Sequence, residues 1–332
     1  MISRMESPIG IILGQLGTPD APTPGALRRY LAQFLGDPRV IEMNPIGRWL
    51  LLHLVILRRR PRISAELYRR IWKPEGSPLR TITRAQAEGL QGALGGTVRV
   101  AVGMRYGNPS MREAIESLLS QGAARILFFP LFPQYSGATT GSLCDEFFHW
   151  IPRRRVVPAV RVVPPYHGHR SYVEAVATVA REHLAALPWK PEKVLFSFHG
   201  LPESYVRSGE PYPDQARESA RRIAAALGLG EGAWELAFQS RFGRQEWLKP
   251  YTDKTLARLG REGIRRIAVL CPGFIADCLE TIDEIASVGL EQFRRAGGSE
   301  LSLIPCVNTH PAWIGAMAAI AREELSGWLD GS

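Results

Sequence analysis

A histidine at the end of an apolar run and a row of three carboxylates are the parts of this sequence best suited to chemistry. The histidine is His199, in Ser197-Phe198-His199-Gly200-Leu201-Pro202-Glu203, directly after Val194-Leu195-Phe196. Only an imidazole titrates near neutral pH without help, so His199 can trade a proton with a substrate. The carboxylates are Asp277, Glu280 and Glu284, in the stretch from Cys271 to Glu284. If a helix opens near Asp277, all three share one face at i, i+3 and i+7, with Leu279, Ile282 and Ile285 opposite. Three acids in a row repel one another unless something positive or protonatable lies among them. Taken singly, each motif has a plainer reading: a strand-capping histidine, and a solvated acidic helix start favoured by the macrodipole. Together they describe a base on one wall of a cleft and acids on the other.

Both motifs leave an apolar strand at its carboxyl end, where open α/β folds put their ligands. The chain supplies such strands repeatedly. Ile9 to Leu16, Thr97 to Met104, Arg125 to Leu131 and Val156 to Val163 read as strands in the first half. Segments near 193–198, 234–239, 265–271 and 301–305 read as strands in the second. Helical patterns lie between them, opening at Thr23-Pro24, at Ser110 and near Thr139. Strands alternating with helices predict α/β architecture with mostly parallel sheets. At 332 residues the length prior suggests about two domains, and Pro164-Pro165 marks the expected linker. The expectation is two such halves with the site between them. No internal sequence repeat stands out.

Composition narrows the classes further. Hydrophobic residues make up 45% and charged residues 22%, as in a soluble globular protein. Residues 1–6 carry no long apolar run, so no secretory signal is expected. The four cysteines form no C-x-x-C pair, which argues against a disulfide framework or a zinc ribbon. The expected compartment is the cytoplasm. The net charge of +9 could serve nucleic acid, an anionic membrane face or an acidic substrate. Basic residues are dispersed except in Arg58-Arg59-Arg60-Pro61-Arg62 and Arg153-Arg154-Arg155, and no nucleic-acid motif is present, so no nucleic-acid partner is expected. One segment departs from the alternation: Ile46 to Leu57 is strongly apolar and runs directly into the first arginine cluster. It is too short to span a bilayer. It could bury as an ordinary core helix, line an apolar mouth or lie in a membrane interface.

An ordered set of motifs resembles the ferrochelatases, enzymes that insert Fe²⁺ into a porphyrin to make haem. The set runs over nearly the whole chain: Gln15-Leu16-Gly17-Thr18-Pro19, Val102 to Tyr106, Pro130 to Ser136, Ser197 to Pro202, Gly209 to Pro213, Gln239 to Gly243, Trp247 to Pro250, and Phe274 with Asp277 to Glu284. The Cys271 to Thr281 version is similar to proteobacterial members, which use protoporphyrin IX. The resemblance implies two Rossmann-like domains with the porphyrin cleft between them. The first would be 1–163 plus a carboxyl-terminal helix in 309–332, and the second 164–308. It implies a lyase that catalyses the terminal step of haem synthesis, with protoporphyrin IX and Fe²⁺ as substrates and haem as product.

Site roles follow from the same resemblance. His199 and Glu280 match the catalytic pair and would contact Fe²⁺; whether His199 takes the pyrrole proton or touches iron stays open at this level. Asp277 and Glu284 would extend a path for metal or protons. Leu16, Trp247 and Phe274 would line the porphyrin, Arg105 and Tyr106 would sit in the cleft, and Ser77 would meet a propionate. Residues 46–62 match an active-site lip, with peripheral contact to the inner membrane. Some members carry a [2Fe–2S] cluster, several of its cysteines lying in a carboxyl-terminal extension. This chain ends without that extension, and Gly137 stands where some cluster-bearing members have Cys. Cys144, Cys271, Cys278 and Cys306 do not reproduce the cluster spacing. No cofactor is therefore expected. The alternatives are a coproporphyrin III ferrochelatase, a cobalt or nickel tetrapyrrole chelatase, and a non-catalytic porphyrin carrier.

Overall fold

The structure is a computed structural model that describes residues 8–243 and 245–329. The chain divides into two compact units. One comprises residues up to Phe132, Gly137–Pro164 and Ile314 onward; the other comprises Pro133–Ser136 and Pro165–Trp313.

In the first unit, β1 (Ile9–Thr18), β2 (Val98–Gly107), β3 (Arg125–Pro130) and β4 (Ala159–Val162) form a parallel sheet in the order β2-β1-β3-β4. Strand β1 lies at its centre. Ile11, Ile12 and Leu13 point to alternate faces and all are buried, as a strand covered by helices on both sides requires. Near its end β1 passes close to β2. Gly17 has φ +106°, and a Cβ there would lie 1.9 Å from the Tyr106 carbonyl oxygen, so only glycine fits.

Helices α1 (Pro24–Phe34), α4 (Pro78–Leu94), α5 (Met111–Ser120) and α6 (Ser142–Trp150) belong to this unit. The first and third start where the sequence signals: Thr23 caps α1 ahead of Pro24, and Ser110 and Glu113 form a reciprocal capping box at α5. A π-helical stretch, Gly137–Gly141, leads into α6, so the helix expected from about Thr139 begins within that wider π-helical stretch. Between α1 and α4 the chain runs helically through α2 (Pro45–Leu50), a π-helical stretch (Leu51–Ile56) and α3 (Leu57–Ile71). No helix among the described residues is long and apolar enough to cross a membrane. The end of the chain is fastened by Arg161, whose guanidinium bonds the carbonyls of Glu324 (2.6 Å) and Ser326 (2.9 Å) and lies 4.3 Å from the Trp328 ring centroid.

The second unit repeats the plan. Its strands β5 (Lys193–His199), β6 (Trp234–Gln239), β7 (Arg266–Leu270) and β8 (Glu300–Leu303) are parallel, in the order β6-β5-β7-β8. Numbered within each unit, both sheets read second, first, third, fourth, a shared topology that no sequence repeat announced. Helices α7 (Arg170–Ala186), α8 (Glu203–Arg207), α9 (Tyr212–Ala226) and α10 (Thr252–Arg261) connect the strands. After β7 come one α-turn, α11 (Leu279–Thr281), a π-helix (Ile282–Gly289) and α12 (Leu290–Arg295). The last helix, α13 (Pro311–Glu324), follows β8. The strand order reverses between β5 and β7, so their carboxyl ends flank the crevice where such sheets bind ligands.

Candidate active site

That crevice of the second unit holds both the histidine and the carboxylate row. His199 is the last residue of β5, and Cys271 to Glu284 follow β7. The His199 ring is half-buried, and its Nδ1 lies 2.7 Å from the Gly200 carbonyl oxygen. A carbonyl can only accept, so Nδ1 carries the proton and a neutral ring keeps its lone pair on Nε2. The Phe274 ring stands beside it, centroids 6.5 Å apart.

The acidic row differs from the expected helix face. The helix opens at Leu279, with Cys278 as its cap, and passes after one turn into a π-helix. Asp277 therefore precedes the helix, and i, i+3, i+7 spacing does not describe the three acids. Its carboxylate accepts bonds from Thr281 Oγ1 (3.0 Å), Asn308 Nδ2 (2.6 Å) and the Cys306 amide (3.3 Å). Asp277 thus ties the helix start to the segment after β8.

Glu280 and Glu284 lie on the helical stretch itself. Glu284 accepts the amide of Ser240 at 2.7 Å and its hydroxyl at 2.5 Å. Burial raises the Glu284 pKa; the Ser240 hydroxyl, the His199 charge and the Ser240 amide pull it down, and Glu280 pushes it up, with a net rise. His199 and Glu280 are therefore both near enough for their charges to act on Glu284. Glu280 also acts on Cys278, whose thiol is pushed well up by burial, then by the Glu280 charge and hydrogen bond. Burial likewise pushes up Cys271 and Cys306, so all three remain thiols at neutral pH. Among the described residues no three His, Cys, Asp or Glu side chains are grouped to hold a metal ion.

Trp247 is buried, with only 4% exposed. Its ring packs on Phe242 (centroids 4.9 Å), and a Cβ at Gly200 would sit 3.2 Å from it. The indole thus forms the floor under the turn that follows His199.

In the first unit the polar candidates are engaged internally. Arg105 gives Nη2 to Asp37 (2.7 Å), Nη1 to Glu146 (2.8 Å) and Nε to Ser142 (2.7 Å). The Tyr106 hydroxyl is buried against Asp37 (2.8 Å) and Ser142 (3.1 Å). Burial alone would raise the Asp37 pKa, but bonds from Ser142, the Arg39 amide and Tyr106, with the charge of Arg105, hold it below its ordinary value. Ser77 is buried, its hydroxyl accepting from Thr18 Oγ1 at 2.8 Å. Arg105 and Tyr106 thus share one internal polar network around Asp37, and Ser77 a separate bond to Thr18. Leu16 differs: it is the single residue of β1 that is not fully buried.

Three residues of these networks escaped the sequence reading as individuals. Gln239 ends β6 beside β5 and Ser240 follows it, and their position at the end of an apolar strand was the available signal. Asp37 gave none, since Tyr106, Arg105 and Ser142 lie 69, 68 and 105 residues away.

Residues 8–325 match the family model described as Ferrochelatase. A ferrochelatase of Brucella ovis is 46% identical over 325 residues, covering 97% of this chain and 92% of its own length. One from Brucella abortus strain S19 matches to the same extent. Among solved structures, SirB from Bacillus subtilis with Fe³⁺ aligns with a TM-score of 0.55 at 16% identity, covering 77% of this chain and 94% of its own. The sirohydrochlorin chelatase SirB of Bacillus subtilis subspecies spizizenii, with cobalt, aligns at 0.54 and 13% identity, covering 75% and 89%. At those identities the likeness is one of fold, two chelatase-type α/β domains.

Proposed function

The chain belongs to the ferrochelatase family, and from that premise we propose that its Fe²⁺ insertion into protoporphyrin IX is carried out by His199 and Glu280. The enzyme is a lyase of haem synthesis, with porphyrin and iron as substrates. The balance is simple: free-base porphyrin and Fe²⁺ give haem and two protons, so two pyrrole N–H bonds break as the metal bonds form. His199 Nε2 is the atom free to accept a pyrrole proton, because Nδ1 is committed to the Gly200 carbonyl. Glu280 offers Fe²⁺ a carboxylate, and Glu284, with its raised pKa, suits a proton relay more than a permanent charge. An imidazole and carboxylates suit ferrous iron without the grip of thiolates, and an ion that must be handed on is better served by an open set than by a closed cage. Phe274 beside His199 supplies an apolar face for a flat macrocycle.

The observation that carries this assignment is the placing of His199 at the end of β5 and of Glu280 on the turn after β7, with the charges of both acting on the half-buried Glu284. Purified protein assayed with Fe²⁺, Co²⁺ and Ni²⁺ against protoporphyrin IX and coproporphyrin III tests it. Fastest turnover with Fe²⁺ and protoporphyrin IX is expected. Preference for coproporphyrin III, or for cobalt or nickel, moves the assignment to another chelatase, and binding without metallation in every pairing makes the protein a carrier.

Membrane contact through residues 46–62 belongs to the same reading. Ile46, Trp49, Leu50, Leu54 and Val55 are exposed, with Trp49 at 57%, and Arg58, Arg59, Arg60 and Arg62 are exposed just beyond them. Of residues 46–57 only Leu52 and Leu57 are buried, which does not fit an ordinary core helix. Apolar side chains beside exposed cations suit the headgroup region of an anionic bilayer.

A further inference from the structure

Gln239 ends β6 directly opposite His199 in the β5–β6 pairing. Its side chain is buried and engaged at both ends. Oε1 accepts the Ser197 hydroxyl at 2.6 Å and the Cys271 thiol at 3.6 Å, while Nε2 donates to the Glu280 carbonyl at 2.8 Å. The Glu280 carbonyl can only accept, so the amide has one orientation: NH₂ toward Glu280, oxygen toward Ser197. Ser197 spends its proton on Gln239, so Thr252, 2.8 Å away, must donate to Ser197. The result is a directed chain, Thr252 to Ser197 to Gln239 to Glu280, whose three side chains are all buried.

Glu280 sits one residue before the end of the short α-turn, where the helix changes to π register. Backbone hydrogen bonding shifts from four to five residues at such a junction, and π-bulges recur at functional sites. A side-chain donor from the sheet fixes the Glu280 backbone there, and with it the direction in which its carboxyl group leaves.

We propose that Gln239 is a positioning residue for metal insertion, holding Glu280 at a set offset from His199 by anchoring its carbonyl to the end of β6. This rests on the reading of Glu280 as an iron-handling residue. Gln239→Met keeps length and apolar bulk while removing both donor and acceptor. With Fe²⁺ and protoporphyrin IX it is expected to lower kcat about tenfold and raise KM for Fe²⁺ by a similar factor, leaving KM for porphyrin unchanged. A merely structural role would lower the folded fraction and hence apparent kcat, with no change in either KM. Ser197→Ala leaves the Gln239–Glu280 bond but frees the amide to turn, and a milder shift of the same pattern is expected; it also serves if Gln239→Met does not fold. Unchanged kcat and iron KM in the folded variants overturn the proposal. Glu280→Gln run in parallel separates the two readings: wild-type turnover there removes the role of Glu280 itself, whereas an inactive Glu280→Gln beside a fully active Gln239→Met removes only that of Gln239.

Discussion

Ser240 hydrogen-bonds Glu284 twice, through its amide and through its hydroxyl, and it does so from a left-handed backbone conformation, φ +65°. A non-glycine residue in that region is uncommon, and here it turns the end of β6 toward the acid. Even with both bonds, burial leaves the Glu284 pKa above its ordinary 4.5. A carboxyl whose pKa is raised on folding costs nothing while protonated in both states and penalises the fold once it ionises. Glu284→Gln, whose amide can still meet a reoriented Ser240 hydroxyl, should therefore melt with the wild type below about pH 4.5 and above it at neutral pH. Melting curves across that range check the sign; a gap that narrows with rising pH contradicts it. On the proposed relay role of Glu284, iron insertion by this variant should also fall.

His199→Ala should abolish metal insertion while porphyrin still binds. Removing a positioned general base typically costs 10²–10⁴-fold, about the limit of a haem-formation assay. The binding surface around it, Phe274 included, is left in place. Porphyrin fluorescence quenching measures the retained binding, and near-wild-type turnover would reject the assignment.

Asp37→Asn tests the lattice of the first unit. The carboxylate accepts from Arg105, Tyr106 and Ser142, and an amide would turn a donor toward at least one of them. Breaking a buried ion pair at one partner costs about 3–5 kcal/mol when the other charge is left unpaired, and less is expected here because Arg105 keeps Glu146. The Asp37 pKa is depressed, so its stabilisation is present above the ordinary carboxylate value and fades as pH falls through the depressed one. Denaturant melts should show the largest deficit of the variant near neutrality, shrinking in acid.

The strands were legible because buried parallel strands are continuous apolar runs, and each of the eight strands among the described residues overlaps a segment read as a strand. Thr23-Pro24 and Ser110 likewise signal their helix starts through local chemistry. Asp277 misled for a local reason as well: its spacing to Glu280 fits an α-helix, but Cys278 takes the cap and the turn beyond widens to a π-helix, which side-chain periodicity does not encode. The hydrogen-bond partners of Arg105 and Tyr106 were not legible. Motif likeness marks them as important, but their partners are brought in by the sheet from 36 to 69 residues away. The apolar segment 46–57 was ambiguous in principle, since a core face and an interfacial face have the same pattern and only exposure separates them.

That exposure makes the segment testable by itself. Trp49 at 57% and Val55 at 57% lie on the stretch that leads to Arg58, Arg59 and Arg60. An interfacial tryptophan contributes apolar area, and each nearby cation adds about 1 kcal/mol against an anionic surface. Binding to vesicles containing phosphatidylglycerol should exceed binding to neutral phosphatidylcholine vesicles and should weaken with salt. Trp49→Ser should reduce binding to both kinds of vesicle, whereas Arg58→Gln with Arg59→Gln should reduce only the anionic preference. Equal sedimentation of wild type and both variants with anionic vesicles would remove this segment from any membrane role.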